Sequence, residues 1–435
     1  MRILHSSDWH LGQHFMGKSR EAEHRAFLNW IIEQAQQHRV DALIVAGDLF
    51  DTGTPPSYAR RLYNQFIADL RSTGCQLVIL GGNHDSVSTL HESRELLACL
   101  DTRVVGGVAA TPEEQVIVLH RRDGLPGAVL CAIPYLRPRD LIESHAGESP
   151  GHKREALMQA IGDHYTVIYD AACDVRRRLQ GGVDSAQAGC APAVSAQAPV
   201  GPLPIIATGH LTCVGGQLSE SVRELYIGTL EAYPASAFPP ADYIALGHLH
   251  RAQAVGGQSH IRYSGSPIAL SFDESQGSKQ VLLVDFAAGQ LADVRPLPVP
   301  VWQPMQGFGG TLEELERQLQ QHFDPAAAGS PDAGGPRTWL EIEVRGDDYL
   351  SDLQPRVQQL VEGLPVEVLR IRRQRSPGAA ALEREHRETL QELSVREVFG
   401  RRLAQEEAMD DATQARLVAA FEALLEQVQD TEKKA

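Results

Sequence analysis

Short apolar runs of strand length recur through the first 285 residues: Ile3–Leu4, Ala42–Ala46, Leu77–Leu80, Val116–Leu119, Val129–Ile133, Ile205–Ala207 and Tyr243–Leu246. Between several of them the apolar positions change to a 3.6-residue period, as at Phe27, Ile31 and Ala35 and at Leu62, Phe66 and Leu70. A further helix is expected around Tyr165 to Leu179. Strands alternating with helices, followed by more closely spaced strands, predict an α/β domain: a layered mixed β-sheet sandwich flanked by helices.

Two stretches interrupt this pattern. Residues 181–204 are small residues and proline, with almost no charge or large apolar side chains. Such a segment buries too little area to offset its ordering entropy and reads as a flexible surface insertion. A second stretch of this kind, Ala326 to Pro336, precedes a compact unit. There Leu340, Ile342 and Val344 alternate with Glu341 and Glu343 as in a half-buried strand. Pro355 can open a helix carrying Val357, Leu360 and Val361, and Val366, Val368 and Ile371 suggest a returning strand. After Ala380 the pattern is helical. Ser394 and Glu397 match a capping box flanked by Leu393 and Val398, and Leu417, Phe421, Leu424 and Val428 form a second apolar stripe. The expected organisation is a main domain over 1–298, a small α+β capping domain over 299–376 and a two-helix tail over 385–430.

The formal charge of −16 argues against binding nucleic acid through a broad basic face alone, though metals or a partner could supply the positive charge. The six cysteines show no tight spacing in this 435-residue chain, so reduced thiols in a cytosol are expected. No window approaches the ~18 apolar residues of a membrane helix, and the N-terminus carries no signal-like segment. The expectation is a cytoplasmic protein without membrane association.

Five strand ends deliver metal-ligand side chains directly after an apolar run: Asp8 and His10 in SSDWH, Asp48 with Asp51 in AGDLFD, Asn83, His84 and Asp85 in GGNHD, His210 in TGHLT, and His248 and His250 in LGHLH. In extended chain, residues i and i+2 point to one side, so Asp8 with His10 and His248 with His250 can each act as a fork. Loops at the carboxyl ends of strands are where sites in α/β sheets gather. One such histidine is ordinarily just a satisfied polar residue; five such blocks in one chain point to a metal site.

The ordered set D-x-H, G-D, G-N-H-D, G-H and G-H-x-H resembles the calcineurin-like metallophosphoesterase superfamily. HSSDWHLG at the start, GDLFDTGTPPSYAR at 47–60 and YSGSPIALSFDE at 263–274 make the chain similar to the branch whose members are DNA nucleases. The 181–204 insertion departs from the shared pattern, and Asp51 stands where archaeal relatives carry histidine. The resemblance implies two divalent ions, with Mn²⁺ expected. One would be held by Asp8, His10, Asp48 and His250, the other by Asp48, Asn83, His210 and His248, with Asp48 bridging. Such a mixed imidazole, carboxylate and amide set suits Mn²⁺, Fe²⁺ or Zn²⁺ better than Mg²⁺.

His84 would act on the scissile phosphate without being a ligand. Asp85 could orient an imidazole or simply shape its turn, and Arg251 could contact phosphate or form a surface ion pair. The implied activity is ATP-dependent 3′→5′ exonuclease action on duplex ends and endonuclease action on single strands and hairpins, in repair and recombination. No P-loop is present, so ATP dependence would come from a coiled-coil ATPase of the SbcC type, bound through the tail, in a complex holding a homodimer of this chain. Arg176 to Arg178 and Arg370, Arg372, Arg373 and Arg375 could contact DNA backbone or form a solvated face. Two other readings stay open: a phosphoesterase for small phosphodiesters or phosphoproteins, and a DNA-end-binding scaffold.

Overall fold

A computed structural model describes residues 1–142, 149–181, 201–217, 219–222, 232–323, 336–345, 353–374 and 421. The described chain belongs almost wholly to one compact unit, 1–344 with 350–372; a second unit covers 345–349 and 373–435. The expected tail, with its Ser394–Glu397 capping box, lies outside the described residues except for Phe421. So do most of the 181–204 insertion and most of the Ala326–Pro336 stretch.

Two mixed sheets face each other. The first has the order Gln290–Pro298, Gln280–Ala287, Arg2–Ser6, Ala42–Ala46, Gln76–Leu80 and Thr102–Val105. The second runs Gln253–Val255, Gln258–Tyr263, Tyr243–Gly247, Ile205–His210, Pro126–Cys131 and Val116–His120. Each apolar run read from the sequence falls on one of these strands, although Val129–Ile133 runs two residues past the end of Pro126–Cys131.

The alternation within a strand explains the layering. In Ala42–Ala46, Leu43 and Val45 pack with Phe27, Ile31, Leu62 and Phe66 of the helices Glu21–Gln37 and Ser57–Arg71. Ala42 and Ile44 face the other way and meet Leu130, Ile206, Tyr243 and Ala245 of the second sheet. The outer face of that second sheet packs on Leu157, Ile161, Tyr165 and Ile168 of the helix Pro150–Leu179. Helix, sheet, sheet and helix thus form four layers, with both faces of the central strands buried, which is why those strands read as continuous apolar runs.

Within this layering the parallel strands Arg2–Ser6, Ala42–Ala46 and Gln76–Leu80 of one sheet end at the same rim as Ile205–His210 and Tyr243–Gly247 of the other. The five candidate blocks lie at or just beyond these five ends, His210 being the last residue of its strand.

A third sheet, ordered Met305–Gly310, Thr338–Arg345 and Val366–Gln374, carries the helices Leu312–His322 and Leu353–Leu360. It has its own core, built on Leu315, Leu319, Leu340, Ile342, Val344 and Val357. It joins the main body through an aromatic cluster in which Phe15 stacks on Trp339, ring centroids 5.7 Å apart, beside Phe272 and Met305.

Between the two large sheets lies a polar side chain that no sequence motif marks. His5 is fully buried, with Nδ1 2.9 Å from the Tyr243 hydroxyl and Nε2 3.2 Å from the Leu246 carbonyl. Burial lowers its pKa to about 3, against the opposing pull of the Leu246 carbonyl. The folded chain therefore keeps His5 neutral while the unfolded chain protonates it below about pH 6.5. Stability from this group is complete above that value and is lost as pH falls toward 3, at about 1.4 kcal/mol per pH unit. In His5→Gln the decline in melting temperature between pH 7 and pH 5 should be shallower than in the wild type. Parallel declines in the two proteins would show that His5 does not set the acid limit.

Candidate metal centre

The turn after the first strand shows how the fork at Asp8 and His10 is built. Trp9, between them, drives into the helix-side core, T-shaped against both Phe27 and Phe66 with centroids 5.2 Å away. Its indole N–H donates to Ser6 Oγ at 2.8 Å. Anchoring Trp9 in this way sends its neighbours to the rim.

The expectation of an extended fork needs correction. Asp8 (φ 55°), His10 (φ 46°), Asp48 (φ 48°) and His248 (φ 95°) all have left-handed backbone, and they lie in loops beyond the strand ends. Glycines permit the crowding that results. A Cβ on Gly247 would lie 1.9 Å from the Ala46 carbonyl oxygen, and one on Gly47, itself at φ 94°, would lie 2.1 Å from His210 Nδ1.

Three groups of donor atoms converge, each with its atoms within 4.8 Å of one another: Asp8, His10 and His250; Asp48, His210 and His248; and His10, Asp48 and His84. Asn83 joins the second group, its Oδ1 2.9 Å from His210 Nε2. All eight of these residues therefore meet at one place.

Second partners fix which nitrogen of each ring faces the site. His210 Nδ1 lies 2.9 Å from the Ala46 carbonyl, His10 Nδ1 3.2 Å from Asp51 Oδ1, and His250 Nδ1 3.1 Å from Glu274 Oε1. These oxygens can only accept, so each Nδ1 carries the proton and each Nε2 lone pair faces the site.

The residues fit a cation. His10 Nε2 and His248 Nε2 are buried without a hydrogen-bond partner. His210 Nε2 points at Asn83 Oδ1 and, 3.2 Å away, at Asp48 Oδ2. Three acceptors facing one another need a positive charge among them, supplied by a divalent ion or by a proton on His210. Burial disfavours that proton, but Asp48 outweighs it and lifts the His210 pKa to about 9. Burial would likewise raise Asp48, yet His210, His10 and His84 hold its carboxyl well below the usual range.

Sequence reasoning did not single out Glu274. It is buried, accepts from Ser219 at 2.8 Å and from Ser221, and receives Lys279 Nζ at 2.5 Å. Asp51, left open from the sequence, orients two rings: its carboxylate takes His10, and its backbone oxygen lies 2.7 Å from His84 Nδ1.

Asp85 does not orient an imidazole. Its carboxylate accepts the backbone N–H groups of Leu49 at 3.0 Å, Phe50 at 2.9 Å and Gly82 at 2.9 Å, tying the Asp48 loop to the Asn83 loop. It acts by holding backbone, and the reaction-facing role considered for it gives way to this one. Arg251 pairs with Asp273 at 3.0 Å, the surface ion pair that was the alternative to phosphate contact. Arg370 and Arg372 pair with Glu220 and Glu341, so these two are not a bare basic face.

Residues 1–152 match the family described as Calcineurin-like phosphoesterase, and residues 301–407 match the Type 5 capsule protein repressor C-terminal domain. The SbcD subunit of the SbcCD nuclease of Escherichia coli K12 is 54% identical over 97% of each chain. The chain belongs to the SbcD family. The Rhodobacter capsulatus member is 35% identical, covering 84% of this chain and 85% of its own, and the Bacillus subtilis member 28%, covering 81% of each. The two large sheets with their helices are the calcineurin-like metallophosphoesterase fold of this family. No described helix is long and apolar enough to cross a membrane.

The signals for the residues missed by sequence reasoning are weak. Glu274 sits in the family-like stretch YSGSPIALSFDE, but nothing in its spacing separates it from Asp273. Ser219 and Ser221 carry no pattern at all. The Asp85 assignment is directly testable: Asp85→Asn places an amide donor against backbone donors and should destabilise the fold by about 1–3 kcal/mol. Unchanged chemical denaturation of that variant would remove Asp85 from this backbone role.

Proposed function

We propose that this chain is the metal-dependent nuclease subunit of an SbcCD-type complex, hydrolysing DNA phosphodiesters at duplex ends, single strands and hairpins. The observation that carries the reading is the pair of donor groups sharing a rim, one with Asp8, His10 and His250 and one with Asp48, His210 and His248. We assign the first ion to Asp8, His10, Asp48 and His250 and the second to Asp48, Asn83, His210 and His248. Two ions fit this donor count, and Mn²⁺ suits its mixture of imidazole, carboxylate and amide. When bound, such ions supply charge to a phosphodiester and acidify a water toward neutrality.

The chain's own residues then divide the work. Asp48 holds negative charge between the two ligand groups, with Oδ1 already receiving the His84 backbone N–H at 2.9 Å. Asp8 is kept in place by the His248 backbone N–H at 2.9 Å and the Ser7 hydroxyl at 2.5 Å. His84, partly exposed, uses Nδ1–H on the Asp51 carbonyl, which leaves Nε2 facing outward to meet the phosphate and, when the ring is imidazolium, to give its second proton to the leaving oxygen. The relatives are named as one subunit of a larger nuclease, which favours a partner for this chain. We take that partner to be a coiled-coil ATPase of the SbcC type and assign its binding to the tail over 385–430. We further assign the small domain over 299–376 to DNA, a homodimer to the complex, 3′→5′ polarity to its duplex activity and the cytoplasm as its compartment.

The test is a Mn²⁺-dependent assay on a labelled hairpin beside a small chromogenic phosphodiester. Hydrolysis of the diester without any cleavage of DNA would replace this reading with that of a small-molecule phosphodiesterase. His84→Gln should reduce cleavage by about 10²–10⁴-fold while metal content stays near that of the wild type. Asp48→Asn should lose metal and activity together. Elemental analysis separates the two: metal loss in the His84 variant, or full loading in the Asp48 variant, contradicts the assigned roles.

A further inference from the structure

The small sheet reaches the metal centre through two contacts that converge on His250. The first is apolar. Phe272 is buried in the cluster with Phe15, Met305 and Trp339 that joins the small sheet to the main body. Phe272 also begins the single turn Phe272–Glu274. Two residues later Glu274 accepts from the ring of His250. Arg370 of the small sheet covers this turn, its guanidinium 5.7 Å from the Phe272 ring centroid.

The second contact is ionic and runs through residues 219–221. Ser221 Oγ lies 2.6 Å from His250 Nδ1, and Ser219 donates to Glu274 Oε1 at 2.8 Å. Between them the Glu220 backbone N–H meets the Asp273 carboxylate at 3.3 Å. The Glu220 side chain points away from these partners and takes both arginines, Arg372 Nη2 at 3.2 Å and Arg370 Nη2 at 3.3 Å. Glu341, on the neighbouring strand of the small sheet, forms ion pairs with both arginines.

We propose that Arg370 and Arg372 are positioning residues for His250, acting through Glu220 and the serines beside it, so that metal retention depends on the seating of the small sheet. Glu220 is half exposed, at 46% of its side-chain surface, so the link is easily opened. A backbone phosphate of DNA offers the arginines the same bidentate acceptor that Glu220 provides. Occupancy of the small sheet by an anion and geometry at His250 would then be coupled, with no contact between the anion and the metal. The proposal rests on the reading of His250 as a ligand.

The test uses the full chain and Mn²⁺ titration by calorimetry, with melting temperature measured alongside. Arg370→Glu/Arg372→Glu should weaken Mn²⁺ binding at one site about tenfold, at the lower end of what loss of ring-orienting partners does to metal affinity. Adding Glu220→Arg to that variant should restore most of the affinity. Glu220→Gln, at an exposed position that cannot unfold the chain, should show a smaller loss of the same sign. Ser221→Ala should show the full loss, and Glu220→Arg with the arginine pair reversed should not repair it. A purely structural ion pair would lower the melting temperature and leave Mn²⁺ affinity alone; that outcome overturns the proposal. A wild-type chain that binds no Mn²⁺ overturns the metal-centre reading and this proposal with it, whereas equal binding by the wild type and all variants overturns this proposal alone.

Discussion

The Asp48 carboxylate is the point on which the rim is organised. It is buried, with one oxygen receiving the His84 backbone N–H and the other facing His10 and His210 at 3.6 and 3.2 Å. A bare carboxylate in such a place would be costly, and the surrounding imidazoles make it tolerable. The same arrangement ties together elements distant in sequence, because His10, Asp48, His84 and His210 follow four different strands. Asp85 supports it from behind by fixing the backbone on either side.

That convergence depends on two sheets pressed so closely that the end of one strand lies on the carbonyl of another. The contact between Gly247 and the Ala46 carbonyl, and that between Gly47 and the His210 ring, leave no room for even a methyl group. His5 serves the same interface deeper down by bonding across it to Tyr243 and Leu246. Packing of the sheets and assembly of the site therefore rest on the same close contacts, with the metal-facing side chains as the outermost layer.

Much of this was legible in the sequence because both signals are local. Apolar runs gave the strands, and a polar block behind each run gave Asp8, His10, Asp48, Asn83, His84, His210, His248 and His250. What could not be read is non-local. Asp51, Glu274 and Ser221 act by touching rings that come from elsewhere in the chain, and Ser219 by donating to Glu274, and no spacing reveals such contacts. Asp85 was ambiguous for a related reason: an acid beside a histidine looks catalytic until its acceptor atoms are seen to be occupied by backbone. The arginines near 370 read as a free basic strand because their acidic partner, Glu220, lies 150 residues away. His5 carried no mark at all, since a histidine within an apolar run does not disclose that both its nitrogens are satisfied across a sheet interface.

The left-handed backbone at Asp8, His10, Asp48 and His248 restricts which residues can stand at the rim. Only a few non-glycine residue types enter this region at moderate cost, and aspartate, asparagine and histidine lead them. Each such position costs on the order of 1–3 kcal/mol, offset by packing elsewhere. A β-branched side chain is unsuited to these positions. At these four positions the turn and the donor atom therefore constrain the same residue, so asparagine, which keeps both the left-handed turn and a donor oxygen, is the mildest replacement for either aspartate.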